Sequence, residues 1–202
     1  MKKTTIICVM ALLCLNLSTI NQSKSQENTL GHGSQPVIPF KQGEKLPDSF
    51  WEQQHLVYSK GKVIKQNLSA YRDKILILDY WATWCGSCIR HMGEAGSLQQ
   101  EYGGLVAMVL VNCANTRDTP EKIDVLMKQS ATGLSTIILD TLLTKQFPHR
   151  LVPHYVWIVN NAFTAATGSE FVNRNNIEVI LDGQQKIKEA HNRRKSSITN
   201  KP

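Results

Sequence analysis

The sequence predicts an α/β domain built on a central mixed β-sheet flanked by helices. Three observations carry that prediction. Ile75-Leu76-Ile77-Leu78-Asp79-Tyr80-Trp81 and Leu105-Val106-Ala107-Met108-Val109-Leu110-Val111 are near-continuous apolar runs of strand length, the pattern of strands buried on both faces. Amphipathic stretches lie between such runs, so strands and helices alternate. A third run, Tyr155-Val156-Trp157-Ile158-Val159, meets Asn160-Asn161, a two-residue turn signal that implies an antiparallel edge.

Taken in order, the chain opens with Lys2 and Lys3 ahead of an apolar run from Ile6 to Leu17. This is the pattern of a secretory signal peptide over residues 1–25, with Ser23-Lys24-Ser25 as the cleavage region. The run is too short for a membrane-spanning helix, which needs about 20 apolar residues. Cys14 follows the large Leu13, which disfavours lipid attachment there. Residues 26–47, rich in Gly, Ser, Gln and Pro, read as a flexible leader, and the domain is expected over 48–187. Phe50 to Tyr58 suggests a short amphipathic helix, Lys62 to Gln66 an edge strand and Leu68 to Arg72 a helical turn. After the first buried strand a helix is expected from Cys85 to about Tyr102, closed by Gly103-Gly104. Thr119-Pro120-Glu121 marks a further helix start, with proline at the first helical position. Ile137-Ile138-Leu139 is a short strand, Leu142 to Phe147 a turn or helix, and Glu170-Phe171-Val172 the expected hairpin partner of the Tyr155 strand. Asn175 to Ile187 reads as a terminal amphipathic helix and 188–202 as a basic flexible tail.

The 202 residues are 42% hydrophobic and 19% charged, which excludes a wholly disordered chain. The net charge of +7 is concentrated at the ends. Residues 1–25 hold three lysines and no acid, residues 186–202 hold six basic residues against Glu189, and the body between is close to neutral. The body therefore gives no nucleic-acid footprint. Of five cysteines, cleavage after a signal peptide would leave Cys85, Cys88 and Cys113, an odd number that does not describe a structural disulfide framework.

Trp81-Ala82-Thr83-Trp84-Cys85-Gly86-Ser87-Cys88 stands directly between a buried strand and a helix. At a helix N-terminus, unpaired backbone N–H groups and the helix dipole stabilise a thiolate on the first cysteine. The second lies one turn inward, placed to attack a mixed disulfide held by the first, so the pair suits reversible thiol–disulfide exchange. A four-ligand zinc site uses the same spacing but needs a second ligand pair, and Cys113 stands alone while His91 shares the helix. A structural disulfide closing so small a loop constrains the chain little.

The stretch Ile77-Leu78-Asp79-Tyr80-Trp81-Ala82-Thr83-Trp84-Cys85-Gly86-Ser87-Cys88, with Leu151-Val152-Pro153-His154-Tyr155-Val156-Trp157-Ile158, resembles the thioredoxin superfamily, and more closely its exported TlpA/ResA-like thiol–disulfide oxidoreductases. The resemblance covers roughly residues 45–185 and implies a thioredoxin-like fold. It assigns Cys85 as an exposed attacking thiolate, Cys88 as the resolving thiol, and Asp79 as a buried acid taking the proton of Cys88. It places a cis-proline at Pro153, with the Val152 backbone open to an extended substrate chain. Trp84 is then an apolar shelf at the site, Trp81 core packing beneath it, and His154 a residue tuning Cys85 or touching the partner. Gly86 and Ser87 lie between the cysteines and tune the couple; relatives commonly carry proline where Ser87 stands. Gly93 replaces a helix-kinking proline, and Gly96 adds a second weak point to that helix.

The resemblance implies a periplasmic enzyme that reduces disulfides in exported proteins and serves redox homeostasis there. A membrane-bound electron donor would recharge it, and no cofactor or metal is expected. Other readings of the same residues are a protein-disulfide oxidase or isomerase, a thiol peroxidase, and a non-catalytic binding or chaperone module. A monomer is expected. Cys113 reads as a buried inert thiol, with a third redox role open if its strand end faces Cys85. His32, His55, His149 and His191 show no ligand spacing and read as surface residues.

Overall fold

Two long apolar strands set the architecture. The computed structural model describes residues 37–199, with side chains as far as Arg193. The expected signal segment with Cys8 and Cys14, His32, and the first half of the expected leader lie outside the described residues. In chain order the elements are α1 (Asp48–Glu52), β1 (His55–Ser59), β2 (Lys62–Gln66), β3 (Ile75–Trp81), α2 (Gly86–Tyr102), β4 (Val106–Cys113), α3 (Pro120–Ser130), β5 (Thr136–Asp140), α4 (Leu143–Gln146), β6 (His154–Val159), β7 (Ala162–Thr167) and α5 (Arg174–Thr199). Short 3-10 turns occupy Ser69–Tyr71, Ala114–Thr116 and Ser169–Phe171.

The seven strands form one sheet in the order β2-β1-β5-β4-β3-β6-β7. β3, β4 and β5 run parallel, while β6 and β7 on one side and β1 and β2 on the other are antiparallel. Every residue of β3 and β4 is buried, as continuous apolar runs require. Alternation sends Ile75, Ile77 and Trp81 to one face, where they meet Met92, Ala95 and Leu98 of α2, Ile123 of α3 and Ile177 of α5. Leu76, Leu78 and Tyr80 go to the other, against Phe50, Trp51, Leu143 and Phe147. α2 runs unbroken through Gly93 and Gly96. A Cβ at Gly96 would meet the Thr132 carbonyl oxygen at 3.0 Å, so this glycine lets the helix approach the α3–β5 connection.

Four sequence expectations are corrected. The helix beginning near Phe50 stops at Glu52, and His55–Ser59 is a strand instead. A tight turn at Lys60-Gly61, both at positive φ, folds it directly onto β2. The partner of β6 is Ala162–Thr167, not Glu170–Val172, which overlaps a 3-10 turn. Asn160 and Asn161 adopt φ of 52° and 64°, and so short a turn pairs the residues immediately after it. The last helix continues past Ile187 to Thr199 where a flexible tail was expected. Lys186 to Ala190 are good helix formers with no Gly or Pro, and Gln185 donates to Glu189 one turn on at 3.1 Å. Finally, residues 37–47 are not a free leader. Phe40 packs against Phe50 and Phe147 at 5.9 and 5.5 Å between ring centroids. Backbone bonds from Gly43 and Leu46 to Phe163 and Asn161, and from Phe163 back to Glu44, tie the segment along β7. Trp51 Nε1 donates to the Asn161 side chain at 2.5 Å, which completes a strap over the hairpin.

Removing the half-buried Phe40 ring in a Phe40→Ala variant should destabilise the protein by about 2 kcal/mol. Urea unfolding of the disulfide-intact protein reads this, and an unchanged midpoint would show that the strap contributes nothing.

Candidate active site

β3 ends at Trp81, and Ala82-Thr83-Trp84 carries the chain to Cys85, the N-cap of α2. Cys85 and Cys88 are joined by a 2.03 Å S–S bond. Cys85 Sγ accepts the Cys88 backbone N–H at 3.2 Å, so the sulfur occupies the position where a helix N-terminus stabilises negative charge. Ser87 Oγ lies 3.5 Å from Cys85 Sγ; a bonded sulfur carries no proton, so the hydroxyl is the donor. Gly86 opens the helix, and its Cβ position faces the Arg90 guanidinium at 3.6 Å. Cys85 is 5% exposed and Cys88 1%. The expected exposed sulfur is therefore nearly closed off in the disulfide form, because the N-cap conformation tucks it back over the first turn of α2.

A buried network that sequence reasoning missed fixes the Ala82–Trp84 loop. Asp118, ahead of α3, accepts the Thr83 backbone N–H at 2.8 Å and its hydroxyl at 2.5 Å. Asn112 at the end of β4 donates to the same carboxylate at 2.6 Å and to the Trp81 carbonyl at 3.3 Å. The only available signal was an aspartate in a polar strand–helix connection, which reads as a solvated turn.

Asp79 sits in the middle of β3, on the face shared by Ile77 and Trp81 and covered by the helix that carries Cys88. It is 1% exposed, and neither carboxylate oxygen has a hydrogen-bond partner. Tyr155, directly across on β6, favours ionisation, but burial outweighs it and holds the carboxyl well above the usual carboxylate range. Burial and the neighbouring Asp79 likewise raise the Tyr155 hydroxyl.

The Val152–Pro153 peptide is cis. Val152 packs against the cluster containing both cysteines, and its backbone N–H and carbonyl make no backbone hydrogen bond among the described residues. Trp84 is 66% exposed, held edge-on by Nε1 donating to the Thr116 carbonyl at 3.0 Å. Trp81 is fully buried in the core and donates to Thr136 at 2.9 Å. His154 stacks on His149 at 4.8 Å, and burial with that neighbour lowers its pKa to about 4. At that value the ring is neutral near pH 7. His149 and His55 are not surface residues. His149 is half-buried against Tyr80 at 4.2 Å, His55 is buried in β1, and desolvation lowers both pKa values.

Cys113 lies in the opposite layer from the cysteine pair, packed with Leu143 and Phe147. Its Sγ is 3.0 Å from Thr144 Oγ1 and 4.0 Å from His149 Nε2. Thr144 also contacts Asp140 at 2.8 Å; a carboxylate only accepts, so the hydroxyl proton goes there and the thiol keeps its own. Burial pushes Cys113 up to about 11, the condition of an inert thiol.

Two outcomes follow. In Asp79→Asn the amide cannot ionise. The raised native pKa means the folded chain holds a proton that the unfolded chain releases, so wild-type stability is unaffected below the unfolded carboxyl pKa. It then falls as pH rises towards the native pKa, by about 1.4 kcal/mol per pH unit across that window. Thermal unfolding of the oxidised proteins should therefore show Asp79→Asn matching wild type near pH 3 and exceeding it at pH 8; parallel curves would refute the raised pKa. Cys113 in the folded, oxidised protein should react with iodoacetamide at pH 8 roughly 100-fold more slowly than a free thiol, as followed by mass spectrometry.

Residues 57–128, spanning β3, the cysteine pair and β4, match the thioredoxin family model. The thioredoxin-like protein YneN of Bacillus subtilis strain 168 is 32% identical over 90 residues, covering 45% of this chain and 49% of that protein. The thiol:disulfide interchange protein TxlA of Synechococcus elongatus is 33% identical over 52 residues, 26% of this chain and 27% of that one. The chain thus spans about half the length of the first relative and about a quarter of the second. Among solved structures, the exposed lipoprotein thioredoxin Etrx1 of Streptococcus pneumoniae strain TIGR4 superposes with a TM-score of 0.53 at 17% identity, over 64% of this chain and 99% of that one. Its likeness is one of fold. Sheet, cysteine pair and matched segment agree: residues 57–128 match the thioredoxin family model, and the chain has the thioredoxin-like α/β fold.

Proposed function

We propose that the protein reduces disulfides in exported proteins by cycling Cys85 and Cys88 between dithiol and disulfide. The observation that carries this reading is the buried Asp79 carboxyl, without a hydrogen-bond partner, on the strand face covered by the helix that carries the cysteine pair at its N-terminus. A carboxyl buried without a partner costs stability and suggests a task.

In the reduced enzyme, the Cys85 thiolate attacks one sulfur of a substrate disulfide. An S–S bond forms between Cys85 and that sulfur, and the other substrate sulfur leaves as a thiolate. Cys88 then gives its proton to the ionised form of Asp79, whose raised proton affinity suits an acceptor, and attacks Cys85 Sγ. The second substrate thiolate leaves as the Cys85–Cys88 bond of this structure forms. Two electrons have passed to the substrate, and an external dithiol donor returns the pair to its reduced form by the same exchange. The open backbone of Val152, beside cis-Pro153, suits strand-like pairing with the substrate chain. Trp84 and His154 border the place where that chain would lie, while Ser87 and Gly86 set the surroundings of the Cys85 sulfur. Export rests on the Lys2-Lys3 and Ile6–Leu17 pattern, and a pneumococcal protein of the same fold is itself an exposed lipoprotein. A membrane-bound dithiol donor and a monomeric enzyme complete the proposal.

Equilibration with defined dithiothreitol ratios should give a Cys85–Cys88 potential of about −250 mV or lower, since a couple near about −120 mV belongs to an oxidant. The latter value overturns the reducing direction, and the lack of any reversible couple overturns exchange altogether. Cys88→Ser should trap Cys85 in a mixed disulfide. Asp79→Asn should slow its resolution roughly 100-fold at pH 7, with the deficit shrinking as pH rises and Cys88 ionises unaided.

A further inference from the structure

The segment from His149 to His154 divides the surface beside the disulfide into two hollows. One is a cavity of about 210 Å³ between Trp84 and Val152, with Cys113 and His149 in its wall. The other is an open groove on the far flank, between His154 and Phe171. Arg150 and Leu151 line both. Neither lining holds an aspartate or glutamate, and its two histidines are kept neutral near pH 7 by burial. Arg150 is therefore the charged group shared by the two hollows. It is exposed and makes no hydrogen bond or ion pair among the described residues, whereas Arg72, Lys128 and Arg174 are each matched to a carboxylate. The positive end of α2 adds to the same field. Around this cation the rims are apolar, with Trp84 66%, Leu151 81% and Phe171 50% exposed.

We infer that this surface selects an extended substrate segment bearing an acidic side chain within two or three residues of its reactive cysteine, flanked by apolar side chains. The inference rests on the exchange reading above and narrows its substrate class. Residues two apart in an extended chain are about 7 Å apart on one side. Arg150 lies two residues before Val152 in a bend rather than a strand, so a chain paired with Val152 brings side chains two or three positions from its cysteine into the neighbourhood of Arg150. There a carboxylate meets an unpaired guanidinium, which binds carboxylates in a bidentate fork. A lysine at that position meets like charge beside Arg150, and the Glu170 carboxylate that could relieve it lies at the far end of the groove, against Gly168.

Two synthetic peptides test this, identical except for Asp or Lys two positions from a central residue, with Phe outside. With serine at the centre they serve in calorimetric binding to the oxidised protein. With cysteine capped by 2-mercaptoethanol as a mixed disulfide they serve in turnover by the reduced protein. The acidic peptide should be favoured roughly three- to tenfold in affinity and in kcat/KM at low salt, and the ratio should shrink as salt is added. Arg150→Glu should invert the ratio and Arg150→Lys should keep its sign. Because the ratio is taken within each protein, a general change in activity cancels. Equal binding of the two peptides to wild type, or a preference that survives in Arg150→Glu, overturns the inference. The serine peptides bind whether or not exchange occurs, so loss of turnover with both capped peptides condemns the exchange reading while the binding ratio still decides this one.

Discussion

The two-residue alternation of β3 is the constraint from which the site follows. With β4 on one side and β6 on the other, this strand has no free edge and no free face, so its register is fixed by the two apolar layers it separates. A slip of one residue would send Ile75, Ile77 and Trp81 into the layer of Phe50 and Phe147 and turn Asp79 away from α2. The strand also ends where the Ala82–Trp84 loop must begin, so its register places Cys85 at the first turn of α2. The acid and the sulfur pair are thereby positioned by the same packing that holds the sheet together.

Polarity in the interior is distributed unevenly around that strand. Asp118 and Asn112 hold Thr83 through a connected set of hydrogen bonds, and Asp140 is capped by backbone N–H groups at the start of α4. These buried carboxylates have partners and serve as struts. Asp79 has none, and it lies on the face covered by the reactive pair. The contrast within one domain shows that the chain can satisfy a buried carboxylate where rigidity is needed and leaves this one unsatisfied on the face that α2 covers.

The central sheet was legible because burial on both faces writes itself as uninterrupted apolar runs, and the cysteine pair because its spacing and position between strand and helix have few other uses. Asp79 stood out as an acid inside such a run. The elements that were missed carry weaker local signals. β1 begins with His55 and is only half apolar, so its strand character comes from pairing with β2 and β5. β7 reads Ala-Phe-Thr-Ala-Ala-Thr, and only the turn before it dictates the register. The brace at Asp118 and the stacked His149 and His154 join residues distant in sequence, and no local pattern announces them. Arg150 was invisible for a related reason: a single arginine in a loop says nothing until the hollows it lines prove to hold no acid in their walls.

The strap of residues 43–46 changes what the outer strand β7 presents to the surroundings. A terminal strand offers unpaired backbone groups to any other extended chain, and cells deal with that hazard by covering or charging such edges. Here the two margins of the sheet are defended differently. β2 carries Lys62 and Lys65 on a short, exposed strand, a deterrent by charge and brevity. β7 is occupied at its start by the chain's own backbone through Gly43, Glu44 and Leu46. The same few residues that look like a passive lead-in are therefore a guard against self-association, and proteolytic trimming past Leu46 would expose a ready template for aggregation while leaving the redox centre intact.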